Sequence, residues 1–151
     1  MTVSLMPYAL PSTLAADLNR VKAYWLGLLR GSAEMPFADD LSLEALPELA
    51  SNLALIEVFI LPERFRVAYI GANLAANQPK PLGDKFLDEV DLYSPLEFLR
   101  SQASAAVESG APNLHNQPAS ADGSLPAYNR LVLPLWGDGH CSLLLVAVSR
   151  K

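Results

Sequence analysis

The spacing of apolar residues changes along the chain and separates a helical first part from a strand-rich remainder. In the first part, large apolar residues recur at helical intervals, namely Leu14, Leu18, Val21, Trp25 and Leu28. This stripe predicts a long helix from Ser12 to Arg30. A shorter, interrupted helical segment is predicted between Ser42 and Asn52, because Pro47 falls inside it.

The middle of the chain predicts a β-hairpin followed by helices. Residues 54–61 are almost continuously apolar and rich in β-branched side chains, and residues 65–70 follow after a short turn that contains Pro62. These two segments predict paired antiparallel strands. Residues 72–93 predict short helical or turn-like pieces that need a core to lie on. A longer helix is predicted from Ser94 to Ser109, with Gly110 as its stop.

The last third of the sequence predicts strands again. Residues 113–117 give a weak strand pattern, and residues 128–136 and 141–148 flank Gly137-Asp138-Gly139. An Asp-Gly pair between two apolar runs is a strong hairpin signal. Pro134 lacks a backbone N–H, so we expect a bulge or a sheet edge there. The element order predicts an α+β fold in which one antiparallel sheet joins both hairpins.

Composition and charge narrow the classes of function. The chain has 151 residues, 51% of them apolar, and a net charge of −5, which suit one folded domain and disfavour nonspecific nucleic-acid binding. Its single cysteine, Cys141, excludes an intrachain disulfide. No apolar run is long enough to cross a bilayer, and the start lacks a signal-peptide pattern. We therefore expect a cytoplasmic protein without nucleic-acid or membrane partners.

The order of elements and several local sequences resemble a PAS domain, the small sensory fold of signalling proteins. The resemblance covers about residues 17 to 148 and is closest to short, stand-alone bacterial PAS-like proteins. It is carried by "YWLGLLRG" (24–31) with "MP" (35–36), "LALIEV" (53–58), "RFRVAYIGANL" (64–74), "PLGDKFLDE" (81–89) and "YNRLVLPLWGDG" (128–139).

This resemblance implies a sheet of about five antiparallel strands, with residues 72–109 enclosing a small cavity on one face. Residues 1–52 form an N-terminal helical extension and residues 53–151 a PAS-like core, within one compact domain. The N-terminal helix then covers the other face or a second subunit. Its apolar stripe is accordingly either core or the interface of a homodimer.

Seven residues are candidates for lining the implied cavity. They combine aromatic rings with polar groups that could orient a small ligand, although the aromatic rings could equally form ordinary core. The candidates are Tyr69, Asn73, Phe86, Phe98, His115, Tyr128 and Asn129.

The strand–glycine–helix junction "YIGANLAAN" (69–77) has the outline of a phosphate-binding loop. It lacks the additional glycines and the lysine of such loops, which argues against nucleotide binding. Gly71 is instead expected to relieve a tight corner.

No residue pattern predicts a catalytic centre. The two histidines, His115 and His140, do not have the spacing of metal ligands. Neither haem nor flavin is expected, and the sequence does not identify another cofactor. Cys141 fits a buried apolar residue. Glu57 interrupts an apolar strand and is either a buried base or the partner of a cross-strand arginine, Arg64 or Arg66.

Three hypotheses of function follow. The first is a stand-alone sensory module, without enzymatic activity, that binds a small ligand or a protein partner and signals in trans. The second is a small enzyme of the cone-shaped ketosteroid-isomerase type with Glu57 as its base. The third is a ligand-free dimerisation module.

Overall fold

A computed structural model describes residues 8–150 and shows a five-stranded antiparallel sheet with helices on both faces. The strand order across the sheet is β2-β1-β5-β4-β3, and the predicted α+β class is confirmed, consistent with a PAS-like fold. The strands are β1 (Leu53–Phe59), β2 (Arg64–Ile70), β3 (Asn113–Gln117), β4 (Tyr128–Gly137) and β5 (His140–Arg150). The α-helices are α1 (Ala16–Gly27), α2 (Ala72–Ala75) and α3 (Leu99–Ser109), and short 3-10 turns lie at Ala38–Asp40, Leu43–Ala45, Ala50–Asn52 and Leu87–Glu89.

Both predicted hairpins are present. Strand β1 pairs with β2, and β4 pairs with β5 over their full lengths. Asp138 and Gly139 both have positive φ, 52° and 83°, as the tight turn between twisted strands requires. Strand β3 begins opposite Val132, so Pro134 lies beyond the β3–β4 ladder at an edge of β4, and a bulge follows at Leu135. The prediction for Pro134 is therefore confirmed.

Alternation along the strands divides the core into two apolar clusters, one on each face of the sheet. On the first face, residues such as Ile56, Val132 and Leu144 pack against the segment 74–107. On the second face, Leu133 and Leu145 pack against α1 and the loops that follow it. Because both faces are covered, the central strands are apolar at nearly every position.

Helix α1 corrects one expectation and decides between two alternatives that the sequence leaves open. It is shorter than predicted, because it begins at Ala16 and ends at Gly27, with a 3-10-like turn after it. Its apolar stripe packs on the sheet of its own chain: Leu18, Val21 and Trp25 are at most 3% exposed. The predicted homodimer interface of Leu14, Leu18, Val21, Trp25 and Leu28 therefore has its three central side chains inside the protomer, where they cannot contact a second copy.

Gly71 ends β2 at a point where two backbone segments nearly touch. A Cβ atom placed on Gly71 would lie 2.4 Å from the carbonyl carbon and oxygen of Ser51. The φ of Gly71 is −68°, so the glycine is needed for space and not for a left-handed conformation. The predicted tight corner is confirmed, and this contact fixes the hairpin to the 3-10 turn that precedes β1.

Candidate functional site

A buried cluster of polar side chains lies between the sheet and α3, on the face that the sequence predicted to hold a cavity. We call it the Arg130 cluster. It consists of Glu97, Gln102, Asn113, Tyr128 and Arg130. The surrounding core is otherwise apolar, so the cluster stands out as a concentration of polarity in the interior.

Arg130 is the centre of the cluster and is fully buried. Its Nε donates a hydrogen bond to Oε1 of Gln102 at 2.7 Å. Its Nη1 donates to the backbone carbonyls of Pro95 and Glu97, both at 2.8 Å. All three acceptors are neutral, and burial lowers the pKa of Arg130. Because arginine has such a high intrinsic pKa, the guanidinium remains a buried cation.

No group among residues 8–150 meets the geometry of a hydrogen bond to the second terminal nitrogen of Arg130, Nη2, although the Tyr128 hydroxyl lies near the guanidinium. No ion pair joins Arg130 to a carboxylate within the same part of the chain. An unpaired polar group in the interior costs free energy, and more so when it is charged. Such groups are rare in folded proteins, so this one marks the cluster as a candidate binding site.

Gln102 and Asn113 hold the guanidinium in place. The Gln102 side chain donates from Nε2 to Oδ1 of Asn113 at 2.9 Å and to the carbonyl of Arg130 at 2.8 Å. Asn113 in turn donates to the carbonyl of Gln102. Helix α3 is thereby tied to β3 and β4 through side chains that have little freedom to turn.

Tyr128 lies two residues before Arg130 on the same face of β4. Its hydroxyl donates to Oε1 of Glu97, and its ring centroid is 5.9 Å from Cζ of Arg130. Burial and the hydrogen bond to Glu97 raise the pKa of Tyr128. Tyr128 therefore stays a neutral donor and holds the Glu97 carboxylate over the cluster.

Aromatic rings cover the outer side of the cluster, grouped around His115. The ring centroid of His115 is 6.0 Å from that of Tyr128, 6.3 Å from that of Phe98 and 5.9 Å from that of Tyr8. Burial, and next the positive charge of Arg130, lower the pKa of His115. The imidazole is thus neutral at pH 7 and adds no second cation to the cluster.

A surface pocket of about 590 Å³ adjoins the cluster at Glu97. Apolar, polar and charged side chains line it, including Tyr93, Ser94, Glu97, Leu125, Pro126 and Arg150. Glu97 thus lines the pocket and also accepts the hydrogen bond of the buried Tyr128.

The turn before α3 supplies backbone acceptors to Arg130. The sequence predicted a helix start at Ser94, but α3 begins at Leu99. Phe98 has a left-handed backbone, with φ of 64°, and the carbonyls of Pro95 and Glu97 point to Arg130. Contact with the buried guanidinium therefore replaces the helical hydrogen bonds that the sequence pattern favours.

Three of the seven predicted cavity residues meet at this site, namely Phe98, His115 and Tyr128. Phe98 is 64% exposed, so it covers the cluster from outside and does not line an interior cavity.

The other four predicted cavity residues lie elsewhere. Tyr69 packs on the second face of the sheet and donates to the carbonyl of Ala50. Asn73 is exposed, and Phe86 lies at the outer edge of β2 under Arg64. Asn129 is buried on the opposite face from Tyr128, because adjacent strand residues point to opposite sides. Its Oδ1 has no partner among residues 8–150.

Arg130, Gln102, Asn113 and Glu97 were absent from the predicted site. Two signals in the sequence point to them. Arg130 interrupts the apolar run of β4 on the same face as Tyr128 and Val132, and Gln102 falls within the apolar stripe of α3. A polar side chain at a core position requires a buried partner. The sequence does not indicate which residues supply one.

The other reactive residues that the sequence singled out lie apart from the Arg130 cluster. Glu57 pairs with Arg66 at 2.7 Å, and its side chain is 36% exposed, as expected of a cross-strand ion pair. Cys141 is buried, and burial raises its thiol pKa to about 11. Within residues 8–150 no group of three or more acidic, histidine or cysteine side chains is arranged to hold a metal ion.

No protein-family model matches this chain, and no curated protein matches it in sequence. Over the described residues, no helix has the length and apolar character needed to cross a membrane.

Proposed function

We propose that this protein is a PAS-like sensory module that binds a small ligand at the Arg130 cluster and signals to a protein partner in trans. One observation carries the proposal: the unpartnered Nη2 of a fully buried arginine, on the sheet face covered by residues 72–109. A guanidinium group in the core is costly to keep and contributes little to stability compared with an apolar side chain. Its presence is better explained by a ligand than by packing.

The arrangement also supports a route for the signal. The guanidinium contacts α3 through Gln102 and the preceding turn through the carbonyls of Pro95 and Glu97. A ligand that binds Nη2 more tightly in one position of the guanidinium than in another would shift this turn and the start of α3. Such differential binding is the requirement for a ligand to change a conformational equilibrium.

The positions of the reactive side chains favour the sensory module over the enzyme. A general base of the ketosteroid-isomerase type would lie unpaired deep in a cavity, whereas Glu57 lines a surface pocket and is paired with Arg66. A dimerisation module built on α1 would present its apolar stripe outward, whereas that stripe packs on the sheet.

The test is a screen of a diverse set of small metabolites by two-dimensional amide NMR of isotope-labelled protein. A binding metabolite is expected to shift the signals of the Arg130 side chain, Gln102 and His115 together. Replacing Arg130 by Met should abolish the shifts, whereas Arg100→Met, an exposed change on α3, should leave them. Thermal unfolding of the Arg130 variant checks that it is folded.

If no metabolite moves these signals in the wild-type protein, or if a binder acts equally on the Arg130→Met variant, the proposed site is wrong. Native mass spectrometry and an ultraviolet–visible spectrum of freshly purified protein complete the test, because they detect a ligand or chromophore that is retained during purification.

A further inference from the structure

The geometry points to a small organic carboxylate as the ligand of the Arg130 cluster, bound between Arg130 and Arg150 and entering through the pocket at Glu97. This inference rests on the proposed function and specifies its ligand.

The charge of the site favours an anion. The three hydrogen-bond acceptors around Arg130 are an amide oxygen and two backbone carbonyls, all neutral. Glu97 is close enough to influence the pKa of Arg130 but forms no ion pair with it. A carboxylate placed against Nη2 would supply the missing counter-charge and two hydrogen-bond acceptors.

The neighbouring donor favours a carboxylate in particular. The Tyr128 hydroxyl already donates to one carboxylate, that of Glu97, beside the guanidinium. A ligand carboxylate that displaced Glu97 from Tyr128 and lay closer to the guanidinium could accept from Tyr128 with one oxygen and from Nη2 with the other. A carboxylate can thus accept one hydrogen bond from each of these two donors.

Glu97 is the residue of the Arg130 cluster that reaches the pocket, so access is expected to depend on its side chain. Glu97 is partly exposed and lines the pocket of about 590 Å³, and rotation of its side chain toward solvent would free the Tyr128 hydroxyl. Glu97 then competes with the ligand for the Tyr128 hydroxyl.

The pocket suits an organic body attached to the carboxylate. Tyr93, Leu125 and Pro126 give it apolar surface, and Arg150 gives it a second cation. Arg150 lies directly opposite Tyr128 in the β4–β5 register, at the mouth of the same site. A ligand with a small apolar body and one carboxylate, or a second anionic group near Arg150, fits this lining.

The experiment titrates the protein with benzoate and acetate and, as neutral equivalents, with benzamide and acetamide, at constant ionic strength. Side-chain NMR of the Arg130 Nε–H group is the readout, because this group is buried and hydrogen-bonded to Gln102. Benzoate is expected to shift the signal saturably, acetate to act more weakly, and both amides to leave it unchanged. Inorganic phosphate is the comparison anion and is expected to bind at least tenfold more weakly than benzoate, a difference of about 1.4 kcal/mol.

Each variant of the site is compared with a control that carries the same change in charge at an exposed position of α3. Glu97→Gln removes the internal competitor while keeping an acceptor for Tyr128, so benzoate should bind about tenfold more tightly. Glu108→Gln, the same change at an exposed position of α3, should have no effect. Arg150→Gln should weaken benzoate binding severalfold, and Arg100→Gln should not.

The outcomes separate this inference from the proposed function. Equal effects of benzoate and benzamide, equal effects of benzoate and phosphate, or identical behaviour of the Glu97 and Glu108 variants would each overturn the carboxylate assignment. If a neutral metabolite nonetheless shifts Arg130 and Gln102, the sensory proposal stands with another ligand class. If neither carboxylates nor any metabolite reach the cluster, both fail.

Discussion

Single residues determine how closely backbone segments of this fold can approach each other, and Gly71 is an example. The corner after β2 is closed by contact between Gly71 and the backbone of Ser51, where no side chain fits. We expect Gly71→Ala to destabilise the protein by about 1–3 kcal/mol, because the added methyl group must push backbone apart. Gly83→Ala is the matched control, since a Cβ there meets nothing within 4 Å. Urea unfolding of both variants checks this, and equal stabilities would show that the corner can relax.

His115 should give the protein a pH-dependent stability. Burial and Arg130 lower its pKa in the folded state, so the unfolded chain binds a proton more readily. Stability is therefore complete above the unfolded pKa of about 6.5 and falls as the pH drops below it. We expect the free energy of unfolding of His115→Phe to lose less than that of the wild type between about pH 7 and pH 5. Parallel loss in both proteins would show that the imidazole is not held neutral.

At the level of single residues, the sequence shows which core positions carry polar side chains but not which residues pair with them. Glu57 was expected either as a base or as an ion-pair partner, and the cross-strand position of Arg66 decides for the pair. The partner of Arg130 could not be found in this way. It comes from α3, 28 residues earlier in the chain, and no local pattern encodes so distant a contact.

Among the elements, α3 and the turn before it link the site to the rest of the fold. The sequence predicted this helix and its end correctly, because Gly110 has the positive φ of a helix terminus. It missed the start, because the capping signal at Ser94 is local whereas the hydrogen bonds to Arg130 are tertiary. Helix α1 likewise begins later than predicted, at Ala16 and not at Ser12.

The coupling of α3 to β4 can be measured by a double-mutant cycle. Gln102→Leu should cost about 3 kcal/mol in the wild type, because it leaves the buried Nε of Arg130 without an acceptor. In an Arg130→Met background the same change should cost less, giving a coupling of about 1–3 kcal/mol. Chemical unfolding of the four proteins measures it. Gln102→Leu combined with Arg100→Met serves as the control cycle and should be additive.

For the whole molecule, the five-stranded sheet, its two hairpins and the covering of both faces could be predicted from apolar spacing and turn residues. The position of the site within that frame could not, since it depends on which side chains meet across α3 and β4. The role of α1 was left open between core and dimer interface, because an apolar stripe does not reveal what covers it. The burial of Trp25 against the sheet resolves this for its central residues.

Trp25 therefore belongs to the stability of the protomer. Its side chain is 3% exposed, and its Nε1 donates to the carbonyl of Pro134 at 2.9 Å. Trp25→Ala should cost about 3–5 kcal/mol. The control Leu26→Ala, on the exposed side of α1, should change stability by less than about 0.5 kcal/mol. Unfolding measurements and analytical ultracentrifugation of the Trp25 variant distinguish the two roles. If Trp25 formed a dimer interface, its replacement would dissociate a dimer and leave the protomer stable.

Both outer strands of the sheet have part of their free backbone occupied by segments of the same chain. Val67 of β2 exchanges two hydrogen bonds with residues 84 and 85, and Leu114 of β3 donates to the carbonyl of Tyr8. An unprotected strand edge invites the addition of strands from other molecules, which leads to aggregation. Growth of the sheet at these positions requires that one of the two segments first detach. Conditions that loosen residues 84–86 or the backbone near Tyr8 are therefore the ones under which this protein would begin to self-associate through its sheet.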